Sequence, residues 1–277
     1  MNTLLSEDEL EQVTYVESVG KRNLAEFVPT HAPLMQKLIA EGRISICGAS
    51  HSMIAVSALN LTQIAWVIHG NLQQARQYLA VPLSSDLEPN FGALAKLLDE
   101  GIRGLRRWDG EKMSLLQQPE HLLCYLLLNR TTEIAMEYAA FRQAELFHKH
   151  DIYSWRAIFA RHLILASQGC YEELRIEDYA KLDPKMKKSD FLFVAHTALV
   201  ALAQGDEAKF AQEMAACCEA FKKRKKSRLL ASTWGYGIAS HFCFDVVGTA
   251  LYRLAVQRGL NFPQPEQRYY PVEFWQQ

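Results

Sequence analysis

Residues 203–214 read AQGDEAKFAQEM. Gly205 closes an apolar helical stretch, and Asp206 with Glu207 opens another at once. Glycine accepts the left-handed conformation that ends a helix, and the next helix opens with no loop between. The chain therefore turns back on itself within a few residues, as in an αα-hairpin. The same logic recurs at residues 69–79, HGNLQQARQYL, where Asn71 is the N-cap, and at residues 167–174, SQGCYEEL. Gly169 and Gly205 are 36 residues apart, near the period of tetratricopeptide-like repeats, but Gly70 fits no common register with them. No run of alternating β-branched residues bounded by hairpin turns occurs. The expected fold is all-α: an irregular array of antiparallel helix hairpins around one core, with about ten helices.

Working outward, a capping box at Ser6-x-x-Glu9 opens a first helix running toward Val28. Pro29 and Pro33 bracket the turn after it, and a short helix ends at Gly42. From Ile44 to Ala75 there is no Asp, Glu, Lys or Arg. Serine, histidine, asparagine and glutamine interrupt that stretch too often for a membrane span, so it reads as a helix over 47–69 buried on most of its circumference. Further helices are expected near 90–107, 119–128, 131–149, 152–168, 188–204, 206–225 and 229–258. The end, NFPQPEQRYYPVEFWQQ, carries Pro263, Pro265 and Pro271 and is expected to be an extended tail at about 260–277 of a single domain, 1–277.

Composition is ordinary for a globular chain: 49% hydrophobic and 22% charged over 277 residues. The formal net charge is −1, which argues against a general nucleic-acid binder. Six cysteines sit among apolar neighbours without a C-x-x-C, as free thiols in a reducing compartment do. The acidic start MNTLLSEDELEQ lacks the charged and apolar regions of a signal peptide, so a cytoplasmic location is expected.

Charge is nevertheless patchy. The residues before Lys21 carry Glu7, Asp8, Glu9, Glu11 and Glu17 and no Lys or Arg. Residues 172–183 carry Glu172, Glu173, Glu177, Asp178 and Asp183 against Arg175 and Lys181. The stretch KKRKKSR places Lys222, Lys223, Arg224, Lys225, Lys226 and Arg228 together at the end of a helix. Patches of one sign steer association with a partner of the other sign. Each also suits a solvated helix end, anions at the start and cations at the finish. The patches give the candidate partner-binding residues: Glu172, Glu173, Glu177 and Asp178, and the cations of 222–228.

Chemistry-bearing motifs are sparse. Glu145-x-x-His148, with His150 and Asp151, has the spacing of one half of a di-iron site, but a matching second half is missing. His241 and Asp245 are four apart in an apolar stretch and are expected to form a structural polar pair on one helix face. Cys217 and Cys218, adjacent on a helix, point about 100° apart and read as packing residues. Phosphate loops, dinucleotide fingerprints and nucleophile elbows do not occur. The weight shifts to a binding protein, not an enzyme, with no catalytic residue, cofactor or metal expected.

Two long segments carry a family resemblance. GASHSMIAVSALNLTQIAWVIHGNLQQARQYL (48–79) and FDVVGTALYRLAVQRGLNFPQPEQRYYPVEFWQQ (244–277) are similar to the immunity protein 49 family of bacterial polymorphic-toxin systems. The resemblance implies a cytoplasmic, all-helical protein that binds a cognate toxin domain and blocks it. A toxin acting on nucleic acid would be met by an acidic face, residues 172–183 or the N-terminal segment. An acidic toxin would be met by the 222–228 run. The alternative reading, from another class, is a helical scaffold or regulator contacting nucleic acid or an acidic partner through that run.

Overall fold

The structure, a computed structural model, describes residues 7–41, 45–83, 119–135, 155–174, 191–224 and 244–276. Every regular element among the described residues is helical. The α-helices with both ends described are α1 (Glu7–Ala40), α2 (Ser45–Gln63), α3 (Leu72–Ala80), α4 (Pro119–Leu127), α5 (Trp155–Ser167), α6 (Phe191–Gln204), α7 (Glu207–Arg224) and α8 (Val246–Arg258); residues 131–135 are helical too. Single turns of 3-10 helix stand at Val81–Leu83, Tyr171–Glu173 and Val272–Phe274.

The hairpin pivots share one geometry. Asn129, Gly169, Gly205 and Gly259 all have positive φ, from 61° to 77°. The residue after each donates its N–H to a carbonyl five positions back: Arg130 to Tyr125, Cys170 to Leu165, Asp206 to Ala201, Leu260 to Ala255, at 2.9–3.1 Å. This is the Schellman closure, which satisfies carbonyls that a helix end leaves open. The pivot at Gly70 is a wider version. A π-helical turn, Ile64–Ile68, adds one residue to the loop, and Asn71 donates to Ala65 O. Asn71 and Asp206 then cap the following helices, accepting the N–H groups of Gln74 and Lys209 at 2.9 Å each.

Four helices gather their C-terminal ends at one side of the molecule. Gln257 Nε2 donates to Ser167 O, joining the last turns of α8 and α5. Arg253, in α8, reaches the Asn129 side chain beyond α4. A Cβ on Gly205 would stand 3.2 Å from Arg258 Nη2, so the end of α6 meets that of α8. The C-terminal ends of α4, α5, α6 and α8 therefore lie together, and α8 packs back on α4. α7 returns antiparallel to α6, tied by Thr197 Oγ1 donating to Glu213 Oε2 at 2.8 Å. The core lies among these helices, with Tyr125, Phe159, Phe210 and Phe244 fully buried.

α2 is buried almost all round from Ile54 to Gln63, a setting in which a charge would be costly. Among the described residues no helix is long and apolar enough to cross a membrane.

Three expectations are corrected. α1 does not turn at the prolines; it continues through Pro29 and Pro33 to Ala40. Both prolines are exposed, as are Ala25 and Pro29, whose carbonyls lose their helical donors. Water can satisfy carbonyls on that side, while His31 is buried on the other. Second, α8 starts at Val246 instead of continuing a helix from 229, because Phe244 and Asp245 are not helical. Third, the C-terminal segment is not an extended tail. Its prolines deny it regular pairing, but Tyr270, Phe274 and Trp275 are buried, and burying aromatic surface is the larger effect. Trp275 Nε1 donates to Tyr270 O at 3.0 Å, Arg253 Nη1 donates to Trp275 O, and Arg76 Nη2 donates to Glu273 O. The Phe274 ring stacks on Phe244 and meets Trp66 edge-on.

Candidate functional site

The N-terminal half of α1 has two unlike faces. Val13, Val16 and Gly20 face inward. Gly20 allows close approach to α2, where a Cβ would stand 3.0 Å from Leu61 Cγ, and Asn23 donates to Ser57 Oγ at 3.2 Å. A helical wheel then turns positions 7, 11, 14, 15 and 18 outward. Leu10 and Tyr15 are large apolar side chains left in solvent, 53% and 69% exposed. They line an open cleft of about 530 Å³ with Glu7, Glu11, Thr14 and Ser18. Asp8 is exposed beside them. Sequence reasoning singled out the acidic residues here but not the apolar pair. The signal was available, because Leu10 and Tyr15 fall off the Val13–Val16–Gly20 side of the wheel.

The stripe ends at an ion pair. Glu17 accepts Lys21 Nζ at 2.6 Å and lies 3.5 Å from His69 Nε2. Partial burial works to raise the Glu17 pKa, but Lys21 and His69 together bring it below its ordinary value. Glu17 is thus neutralised within the molecule, whereas Glu7, Asp8 and Glu11 stand at the exposed end.

The second acidic candidate lies at the gathered helix ends. Glu172 is exposed on the 3-10 turn after α5 and Glu173 is half-buried. Glu172 lines a cleft of about 520 Å³ with Tyr171, Leu174, Val200, Gln204 and Arg258. The Arg258 guanidinium carbon lies 3.9 Å from the centre of the Tyr171 ring, a close cation–π contact. That cation also suits the carbonyl ends beside it. Glu177 and Asp178 lie outside the described residues.

The basic run loses its first member to the fold. Lys222 Nζ lies 2.7 Å from Glu266 Oε1 and 3.3 Å from Glu219 Oε1, with Tyr269's ring centre 5.2 Å away. The Glu266 hydrogen bond raises its pKa further. Phe221, next to it, packs with Val13 and Val16 of α1 and meets Tyr269 edge-on. Lys223 and Arg224 belong to the last turn of α7. Lys225, Lys226 and Arg228 lie outside the described residues.

Asp245 is the N-cap of α8, accepting Gly248 N–H at 2.9 Å. Its own N–H donates to Tyr269 O, so the C-terminal segment positions the cap. Since α8 begins after Asp245, that residue caps the helix instead of standing on its face. His241 itself lies outside the described residues, as do Glu145, His148, His150 and Asp151.

Buried titratable groups elsewhere were not singled out by the sequence. His162 and His196 face each other across α5 and α6, their Nδ1 atoms 3.5 Å apart and both rings fully buried. One imidazole donates and the other accepts, which requires complementary tautomers. His31 is buried between α1 and α4, where burial and then repulsion from His121 push its pKa down to about 4. Cys124, Cys217 and Cys218 are buried free thiols, and burial holds each pKa above the ordinary value, which disfavours thiolate chemistry. Among the described residues no three His, Cys, Asp or Glu side chains cluster as a metal site would need.

No protein-family model matches this chain, and no curated protein and no solved structure matches it either.

Proposed function

We propose that the protein is an immunity protein, a stoichiometric inhibitor that binds a cognate bacterial toxin domain in the cytoplasm and neutralises it. The observation that carries this reading is the outer face of α1: Leu10 and Tyr15 held in water beside Glu7, Asp8 and Glu11. Apolar anchors rimmed by charge are how protein-binding surfaces are built. An acidic rim selects a basic partner, as an enzyme that grips nucleic acid would be. The scaffold beneath suits the task. Helix hairpins closed by Schellman turns and a C-terminal segment buried in the core hold the surface in place before binding, which lowers the ordering cost of association. The reading needs no catalytic residue, cofactor or metal. A nucleic-acid contact through 222–228 ranks second, because Glu219 and Glu266 already engage Lys222.

The test is co-expression with the C-terminal domain of the protein that the neighbouring gene encodes. Relief of toxicity and a one-to-one complex on size exclusion are expected. Toxicity without relief, together with no complex, refutes the reading.

A further inference from the structure

We infer that the partner element received by α1 is a basic amphipathic helix, lying antiparallel to α1 with its cations in its C-terminal turns. The inference rests on the binding function proposed above and names the chemistry of the partner at that surface.

Geometry comes first. Glu7, Leu10, Glu11, Thr14, Tyr15 and Ser18 all belong to one helix, so the surface they line is a shallow groove, wide open to solvent, along a helix flank. From residue 7 to residue 18 that groove runs about 16 Å, three helical turns. On the helical wheel the small Thr14 and Ser18, one turn apart, fall between Leu10 and Tyr15. The Thr14 hydroxyl donates to Leu10 O at 2.7 Å, so it asks nothing of a partner. Small residues between two exposed apolar side chains leave room for side chains at i, i+3 and i+7 of a facing helix.

Charge fixes the orientation. Glu7, Asp8 and Glu11 stand at the N-terminal end of the groove, and the other end is closed by the neutralised Glu17–Lys21–His69 group. An antiparallel partner lays its own C-terminal turns beside Glu7 and Glu11. Cations there satisfy both the carboxylates and the partner's own dipole. A parallel partner would place its cations against its own positive end. The same charges argue against other occupants. Nucleic acid and anionic membranes carry the wrong sign.

The test uses the full-length chain and labelled peptides of about 18 residues, long enough to cover the groove. One peptide carries a leucine stripe with Lys and Arg in its last two turns. A second has those cations moved to its first two turns, and a third has Glu in their place. Anisotropy titration should show the first peptide binding about tenfold more tightly than the second, and the third not at all. A Leu10→Ser/Tyr15→Ser variant, altered only at exposed positions, should keep its helical circular dichroism and lose about tenfold or more in affinity for the first peptide. Equal binding of the first two peptides, or full binding by the variant, overturns the inference. So does self-association in sedimentation that the variant abolishes, since the occupant would then be a second copy. Neutralisation separates this from the function itself. If wild type and variant protect equally against the neighbouring toxin domain, the inference falls and the function stands. If wild type does not protect, the function falls, and the peptide titration alone decides the inference.

Discussion

Asp245 and Gly248 fit into each other's space at the start of α8: one carboxylate oxygen accepts the Gly248 N–H at 2.9 Å, and the other, with the edge of the Tyr270 ring, fills the place where a Cβ on Gly248 would stand. In an ordinary helix, Gly→Ala gains about 1 kcal/mol. Here the methyl has no room, and overpacking of this kind costs about 1–3 kcal/mol. Gly248→Ala should therefore destabilise the protein. Asp245→Ala should cost about 1–2 kcal/mol through the lost cap. Urea midpoints measure both; a Gly248→Ala variant as stable as wild type contradicts the packing described.

Acid should weaken the fold through His31. Its pKa drops from an ordinary 6.5 to about 4 in the folded chain, so the unfolded chain binds the proton more tightly. Stability is then fully present above 6.5 and declines as pH falls from 6.5 toward about 4. Replacing the ring with an apolar side chain, His31→Leu, should flatten that part of the stability profile. Thermal melts at a series of pH values check it, and an unaltered acid limb in the variant would count against His31 as the cause.

The prolines of α1 should be dispensable for its helix. Pro29 and Pro33 remove two backbone hydrogen bonds on the exposed side. Pro29→Ala/Pro33→Ala restores both donors without touching the core. The double variant should gain about 1–3 kcal/mol, less than the full propensity difference because proline also restricts the unfolded chain. A melting temperature below that of wild type would mean that the prolines shape α1 in a way the helix does not reveal.

Lys222 should act on the C-terminal segment and not on a partner. Glu266 carries the carboxylate that holds Lys222 and also the carbonyl that accepts the N–H groups of Tyr269 and Tyr270. Lys222→Met should speed amide exchange over residues 266–270 at low salt. The difference should shrink as salt screens the pair in wild type. Exchange indistinguishable from wild type at low salt would show that the ion pair does not restrain the segment.

What was legible in the sequence is what depends on neighbours in the chain. Gly70, Gly169, Gly205 and Gly259 announce left-handed turns, because glycine is the residue that pays least for them. Asn71 announces a cap, because its oxygen reaches an N–H three residues on. The chargeless stretch announces a buried helix, because a charge there would be costly. Asn129 adopts the same left-handed turn without glycine, so that pivot carried no obvious mark.

The rest was decided at a distance. Whether Pro29 ends a helix depends on whether the Ala25 carbonyl it leaves without a donor meets water, a matter of which side of α1 faces α2. Whether Asp245 lies within a helix or caps one depends on Tyr269, which takes its N–H from far along the chain. The C-terminal segment has no local pattern to declare it; it folds because the core has places for Tyr270, Phe274 and Trp275. The acidic composition of the first residues was plain from the sequence, but its meeting with exposed Leu10 and Tyr15 was not. The sequence alone determined the helices and their turns, since these rest on hydrogen bonds between residues a few positions apart. Only the tertiary structure decided which faces are buried and which remain in water, since that is set by surfaces that folding brings together.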